Sequence, residues 1–190
     1  MKVEIEISGR HCHISRKDLD LLYGQGYKLT PIKPLSQTGQ FAAKETITLK
    51  VGDNELTGIR ILGPERKNTQ VEITLTEAYK LKIDPPVAEC SCPDKPKGCA
   101  IAEIIGPKGT VKRCAVIVAR RHFHTDPKTA KLFKVKEGQI VSLKTSGFRS
   151  VIFNSVLVRI DKSFKPRIHL DTDEGNAAGL KNGDKGEIIL

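Results

Sequence analysis

Two short strings, Arg10-His11-Cys12-His13 and Arg121-His122-Phe123-His124, hold four of the chain's five histidines, and the fifth stands alone at His169. Neutral imidazole is the commonest protein ligand for a divalent metal, so two His-x-His pairs plus a third position point to a metal centre, and to more than one ion. The spacing also dictates the backbone. Residues i and i+2 share a face in a strand but point to nearly opposite sides of a helix, so each pair chelates only where the chain is extended. The flanking residues agree: Val3-Glu4-Ile5-Glu6-Ile7 alternates apolar and charged residues, and Val116-Ile117-Val118-Ala119 is a short β-branched run. Cys12 and Phe123, interleaved between the histidines, then face away from the metal.

Both pairs head similar stretches. Each reads as a strand end running into a short helix, with Ser15 as the N-cap of the first and Asp126-Pro127 opening the second, while Gly24 and Gly26 end the first. The pattern recurs at Gln70-Val71-Glu72-Ile73, ahead of Thr76–Leu81, and at Arg167-Ile168-His169-Leu170, ahead of Asp171. Glu72 and His169 occupy equivalent places there. Each half thus supplies three ligands: His11, His13 and Glu72 in one, His122, His124 and His169 in the other. Three ligands with a fourth position open is the catalytic arrangement for zinc, structural sites being usually closed by four.

Between these segments lie hairpin signals: Glu45–Val51 turning at Gly52-Asp53-Asn54 and returning through Leu62, Gln139–Leu143 turning near Ser146-Gly147 and returning through Phe153, and a tight turn at Gly106–Gly109. Many short strands with few helices predict a mainly β protein, and the repeated ligand pattern favours two β-barrel domains, related by internal duplication and capped by short α-helices, over a sandwich. Arg66, six residues before Glu72, is a candidate to hold a phosphate or carboxylate in bidentate fashion.

The 190 residues suffice for a real core, no apolar run is long enough to span a bilayer, and the start reads as a strand with no leader segment, so a cytoplasmic protein is expected. A net charge of +10 suits an anionic partner. Aromatic residues are scarce and the basic residues dispersed, which favours small phosphorylated molecules over nucleic acid. Five cysteines, an odd count, argue against a disulfide framework. Cys90, Cys92 and Cys99 could hold zinc, but their spacing is not a usual structural-zinc pattern, and an ordinary loop is expected.

The strings Arg10-His11-Cys12-His13-Ile14-Ser15, Leu29–Thr46, Leu62–Glu72, Ala119–His124 and His169–Gly179 together resemble the PduL-type phosphate acyltransferases (phosphotransacylases), over nearly the whole chain. The resemblance implies reversible conversion of acyl-CoA and phosphate into acyl phosphate and CoA, with a short acyl group, acetyl or propanoyl. It implies two β-barrels with a dinuclear zinc site between them: one ion on His11, His13 and Glu72, the other on His122, His124 and His169. Arg66 and Gln70 would be the catalytic side chains, Arg66 binding phosphate and Gln70 lying close to the metal-bound water. Ser8, Lys33, Arg60, Leu62 and Asn176 match positions lining the CoA pocket. The first barrel would be discontinuous, residues 1–9 plus 118–190, with residues 10–117 forming the second. Self-association, most simply as a dimer, is expected. Microcompartment members of the family carry an N-terminal helical extension that this sequence does not show, which fits a cytosolic role; the Cys90–Cys99 loop is foreign to the family pattern. The alternatives are a zinc-dependent hydrolase of thioesters or other substrates, using the same ligands without a CoA pocket, and a nucleic-acid-binding β-barrel protein.

Overall fold

The computed structural model describes residues 1–88 and 99–190. In chain order the elements are β1 (Lys2–Ser8), β2 (His11–Ser15), α1 (Arg16–Tyr23), β3 (Pro31–Pro34), β4 (Phe41–Val51), β5 (Asn54–Arg66), β6 (Gln70–Ile73), α2 (Leu75–Leu81) and β7 (Val87–Ala88). There follow β8 (Ala100–Gly106), β9 (Gly109–Ala119), β10 (His122–Thr125), α3 (Pro127–Phe133), β11 (Ile140–Lys144), β12 (Ile152–Ile160), β13 (Arg167–Asp171), α4 (Thr172–Ala178) and β14 (Lys185–Ile189). The protein is mainly β. It divides into two compact units, Met1–Gly9 with Arg120–Leu190 and Arg10–Ala119.

The discontinuous unit is a closed six-stranded barrel in the order β1-β13-β10-β12-β11-β14. In the other unit β4, β5, β2, β6 and β9 lie side by side and β8 pairs with both β4 and β9, which closes a second ring; β3 and β7 are appended to it. The two rings match strand for strand. The sequence of parallel and antiparallel neighbours around β1-β13-β10-β12-β11-β14 is the same as around β9-β6-β2-β5-β4-β8. By this equivalence the N-terminal β1 occupies the place that β9 fills in the continuous barrel. Closure leaves no ring strand with an unpaired edge.

Alternation along the strands fills each interior. Ile14, Ile47, Leu49, Ile59, Ile61, Val71 and Ile104 pack in the continuous barrel, with Leu19 and Leu22 of α1 sealing it. Val3, Ile5, Phe123, Val141, Leu143, Val158, Ile168 and Leu170 pack in the other. Even an irregularity is duplicated. Gly58 and Ser155 have positive φ (68° and 62°), each lies at a register shift, and each precedes by two residues the partner of the first histidine, Arg60 or Leu157. The returning strands run further than the sequence pattern suggested, β5 to Arg66 and β12 to Ile160, because pairing with β2 and β10 sustains them beyond the hairpins.

The helices start where the side chains direct. Ser15 accepts the Asp18 N–H, and Asp126 accepts those of Lys128 and Thr129, with Pro127 opening α3. Thr74 and Asp171 begin reciprocal capping boxes with Glu77 and Glu174. Among the described residues no helix is long and apolar enough to cross a membrane.

One expectation is overturned. Cys99 and Cys114 form a disulfide, with Cα atoms 5.3 Å apart. The odd count excludes a complete framework but not a single bridge, and antiparallel β8 and β9 bring these two side by side near a register shift. Cys12 is a buried free thiol, and Cys90 and Cys92, with the loop reading made for them, lie outside the described residues.

Two stability outcomes follow. Reducing the disulfide, which spans 15 residues, should lower the free energy of unfolding by roughly 3 kcal/mol; urea titrations with and without reductant measure it, and Cys114→Ala should make the two curves coincide. Phe123→Ala should cost about 3–5 kcal/mol in the same assay, since the ring is wholly buried.

Candidate functional site

Strand register assembles both sets of candidate donors. In the continuous barrel β2 lies between β5 and β6, so Arg60, His11 and Glu72 form one row and Leu62, His13 and Gln70 the next. Directly opposed residues share a face, so this grid of six points one way while Cys12, Val71 and Ile61 point into the core. In the other barrel β10 lies between β12 and β13. Its rows are Leu157–His122–His169 and Arg159–His124–Arg167, with Phe123, Val158 and Ile168 in the core. Each of these strands reaches a helix N-cap two residues after its last candidate donor: His13 then Ser15, Glu72 then Thr74, His124 then Asp126, His169 then Asp171.

Among the described residues, two groups bring three metal-donor side chains together: His11, His13 and Glu72, all buried, and His122, His124 and His169, all half-buried. Within each, the donor atoms lie within 4.8 Å of one another. In the first, His11 Nε2 is 3.3 Å from Glu72 Oε2 and His13 Nε2 is 3.7 Å from Glu72 Oε1. Donors bonded tetrahedrally to one zinc at ordinary lengths stand roughly 3.4 Å apart, so the set has the right span for a single ion. In the second, the three ring centroids are 4.4–4.9 Å apart. His122 Nδ1 meets the Arg120 carbonyl at 2.8 Å. A carbonyl only accepts, so Nδ1 carries the proton and Nε2 keeps its lone pair for a metal. Phe164 stacks on His124 at 4.0 Å between centroids.

The electrostatics suit ligands. Burial, and then the neighbouring His11, push the His13 imidazole down to about 3, so it is neutral at any ordinary pH. Arg66 is close enough to contribute to that lowering. Gln70, opposite His13, has its Nε2 buried with no hydrogen-bond partner among the described residues, a donor left for something absent from the protein alone.

The remaining candidates are spread over both units. Arg66 is half-buried and pairs in register with Ser15. Lys33 is exposed on β3; Leu62 and Arg60 flank the first pair, and the Arg60 guanidinium donates to the Ala43 and Lys44 carbonyls. Ser8 ends β1 opposite Asp171, and Asn176 is exposed on α4, both in the discontinuous unit.

Long-range polar contacts escaped the sequence reading. Asp18 accepts from Arg113 Nη2 at 2.6 Å and from Thr69 Oγ1 at 2.6 Å, and Thr69 Oγ1 accepts the Ser15 N–H. This knot fixes the residue before Gln70 to the first turn of α1. Burial alone would raise the Asp18 carboxyl, but the hydrogen bonds from Arg113 and Thr69 outweigh it and hold it below its ordinary value. Arg10 pairs with Glu77, and Arg121 with Glu174. Burial raises the Glu174 carboxyl, against the pull of Arg121.

The model of the phosphate propanoyltransferase family matches residues 4–181. The chain belongs to this family. It is similar to a phosphate propanoyltransferase of Thermotoga maritima, 46% identical over 187 residues, which are 97% of this chain and 88% of that protein. Those of Enterococcus faecalis and Clostridioides difficile are 42% and 40% identical over 98% of this chain, and it spans 87% and 88% of their lengths. As a member of the family the protein is an enzyme, an acyltransferase.

Because the Asp18 carboxyl sits low in the folded state, its stabilisation is present above the unfolded value near ~3.9 and is lost as pH falls through the folded value. Asp18→Asn should therefore lower the urea midpoint at neutral pH, and that deficit should vanish on acidification; a deficit independent of pH would contradict the sign.

Proposed function

We propose that this enzyme interconverts acyl-CoA plus phosphate with acyl phosphate plus CoA, acting on a short acyl group, acetyl or propanoyl, with one zinc ion at each triad. Two three-donor sets of matching register in a chain of this family carry the reading. Bound at the triads, zinc would supply Lewis acidity toward the thioester carbonyl and the departing thiolate.

The side chains supply the rest. His11, His13 and Glu72 hold one ion, and His122, His124 and His169 the other. Arg66 orients phosphate so that its oxygen approaches the carbonyl carbon; the new C–O bond forms as the C–S bond breaks and CoA leaves as the thiolate. Gln70 offers its buried amide N–H to an oxygen of the reacting group. Ser8, Lys33, Arg60, Leu62 and Asn176 contact CoA. Direct attack needs no acyl-enzyme, and the cysteines among the described residues support it: Cys12 lies wholly in the core with its thiol pushed far up by burial, and Cys99 and Cys114 are bonded to each other.

Thiol release from acetyl-CoA and propanoyl-CoA tests the reading. Release should require phosphate, stop when a chelator strips the protein, and return with zinc. Arg66→Gln should lower kcat/KM for phosphate by about 10–150-fold, the loss of charge-assisted hydrogen bonding of about 1.5–3 kcal/mol. Release at full rate without phosphate would make the protein a hydrolase, and a trapped acyl-enzyme would overturn direct attack.

A further inference from the structure

The residue before each His-x-His pair is an arginine, and each arginine finds the same kind of partner. Arg10 Nη1 lies 2.6 Å from Glu77 Oε1 in the continuous barrel, and Arg121 Nε lies 2.6 Å from Glu174 Oε1 in the other. Both glutamates stand five residues after the third metal donor, Glu77 after Glu72 and Glu174 after His169. Both are the third residue of a helix whose N-cap, Thr74 or Asp171, lies two residues beyond that donor. In each case the second carboxylate oxygen, Oε2, accepts the N-cap backbone N–H, at 3.0 Å for Thr74 and 3.1 Å for Asp171. One carboxylate therefore ties the end of the third-donor strand to the start of the His-x-His strand, with the same two carboxylate oxygens, twice.

The ties sit where the backbone needs them. The β2–β6 ladder comprises His11–Glu72, Cys12–Val71 and His13–Gln70; the β10–β13 ladder comprises His122–His169, Phe123–Ile168 and His124–Arg167. The first and third donors are thus the terminal pair of each ladder, and Arg10 and Arg121 lie just outside it. A strand pair frays from its end, and fraying here would open the span between the first and third donors. The glutamates are well covered, with side chains 11% and 16% exposed, while the arginines are 42% and 32% exposed. Arg121 is held further by the Asn154 carbonyl and by the Phe153 ring. The other two helices, α1 and α3, which follow the His-x-His strands, carry Asp18 and Thr129 at the corresponding position. Asp18 there also pairs with an arginine, but with Arg113 of β9 and not with the residue before a His-x-His pair, so what accompanies the third donor is the tie to that residue.

We infer that Arg10–Glu77 and Arg121–Glu174 are positioning pairs, each setting the separation between the first and third donors of its own triad and so the metal affinity of that triad alone. The inference rests on the reading of the triads as zinc sites. Residues that orient metal ligands typically change affinity about 10–100-fold when altered.

Zinc content and competition with a colorimetric chelator decide the matter, with Glu77→Gln and Glu174→Gln as variants. Gln still accepts the N-cap N–H, so the helix start survives while the ion pair is lost. Wild type should bind two ions. Glu77→Gln should release one of them about 10–100-fold more readily, with thermal unfolding of the metal-free protein near that of wild type. Arg10→Lys should retain more affinity than Arg10→Gln. In a His124→Ala background, with only the first triad intact, Glu77→Gln should weaken the remaining ion and Glu174→Gln should not. Variants that hold both ions as tightly as wild type, or that lose metal only in step with the stability of the metal-free protein, would overturn the positioning role and leave the functional reading standing. A wild-type chain that takes up no zinc would overturn both.

Discussion

The site depends on two-residue periodicity. Only in an extended chain do His11 and His13, or His122 and His124, project to one side, and only then do Cys12 and Phe123 project to the other. Each two-histidine strand therefore turns its imidazoles to one side and a core residue to the other. Packing of Phe123 or Cys12 fixes the strand's rotation, and that rotation aims the imidazoles. A one-residue slip would turn the histidines into the barrel interior and the core residues out of it, so the register that stabilises each barrel is also the register that creates each triad.

The matching topologies frame chemically different surroundings. A carboxylate, Glu72, completes the first triad, with Gln70, Leu62 and Arg60 beside it. Three imidazoles make the second, flanked by Arg159 and Arg167 and faced by Phe164. An ion on the first would be partly neutralised by its ligand, whereas one on the second would keep its full charge. The scaffold is repeated while the donor set it carries is not.

Much of this was legible in the residues. The His-x-His spacing announced strands, the repeat of strand then capped helix singled out Glu72 and His169, and Ser15, Asp126 and Pro127 marked helix starts. These signals are local: alternation, a cap and a turn act within a few residues of chain. What escaped the sequence requires pairing. The Cys99–Cys114 bridge needs the β8–β9 register, the Asp18–Arg113–Thr69 knot joins three distant segments, and the Arg10–Glu77 pair depends on which ladder ends at His11. Ring closure was likewise inferred from the repeated pattern; the hydrogen bonding of β8 to both β4 and β9 has no signature in β8 itself.

The place of β1 sets an order of assembly. Its neighbours are β13 and β14, residues 167–189, whereas every strand of the other ring lies within residues 10–119. During synthesis the continuous ring can close as soon as β9 has emerged. Val3 and Ile5 are made before any other strand of either ring, yet must remain without their permanent cover until β13 and β14 are translated. Glu4 and Glu6 alternate with these apolar residues, and charges placed along an uncovered strand disfavour its pairing with another chain.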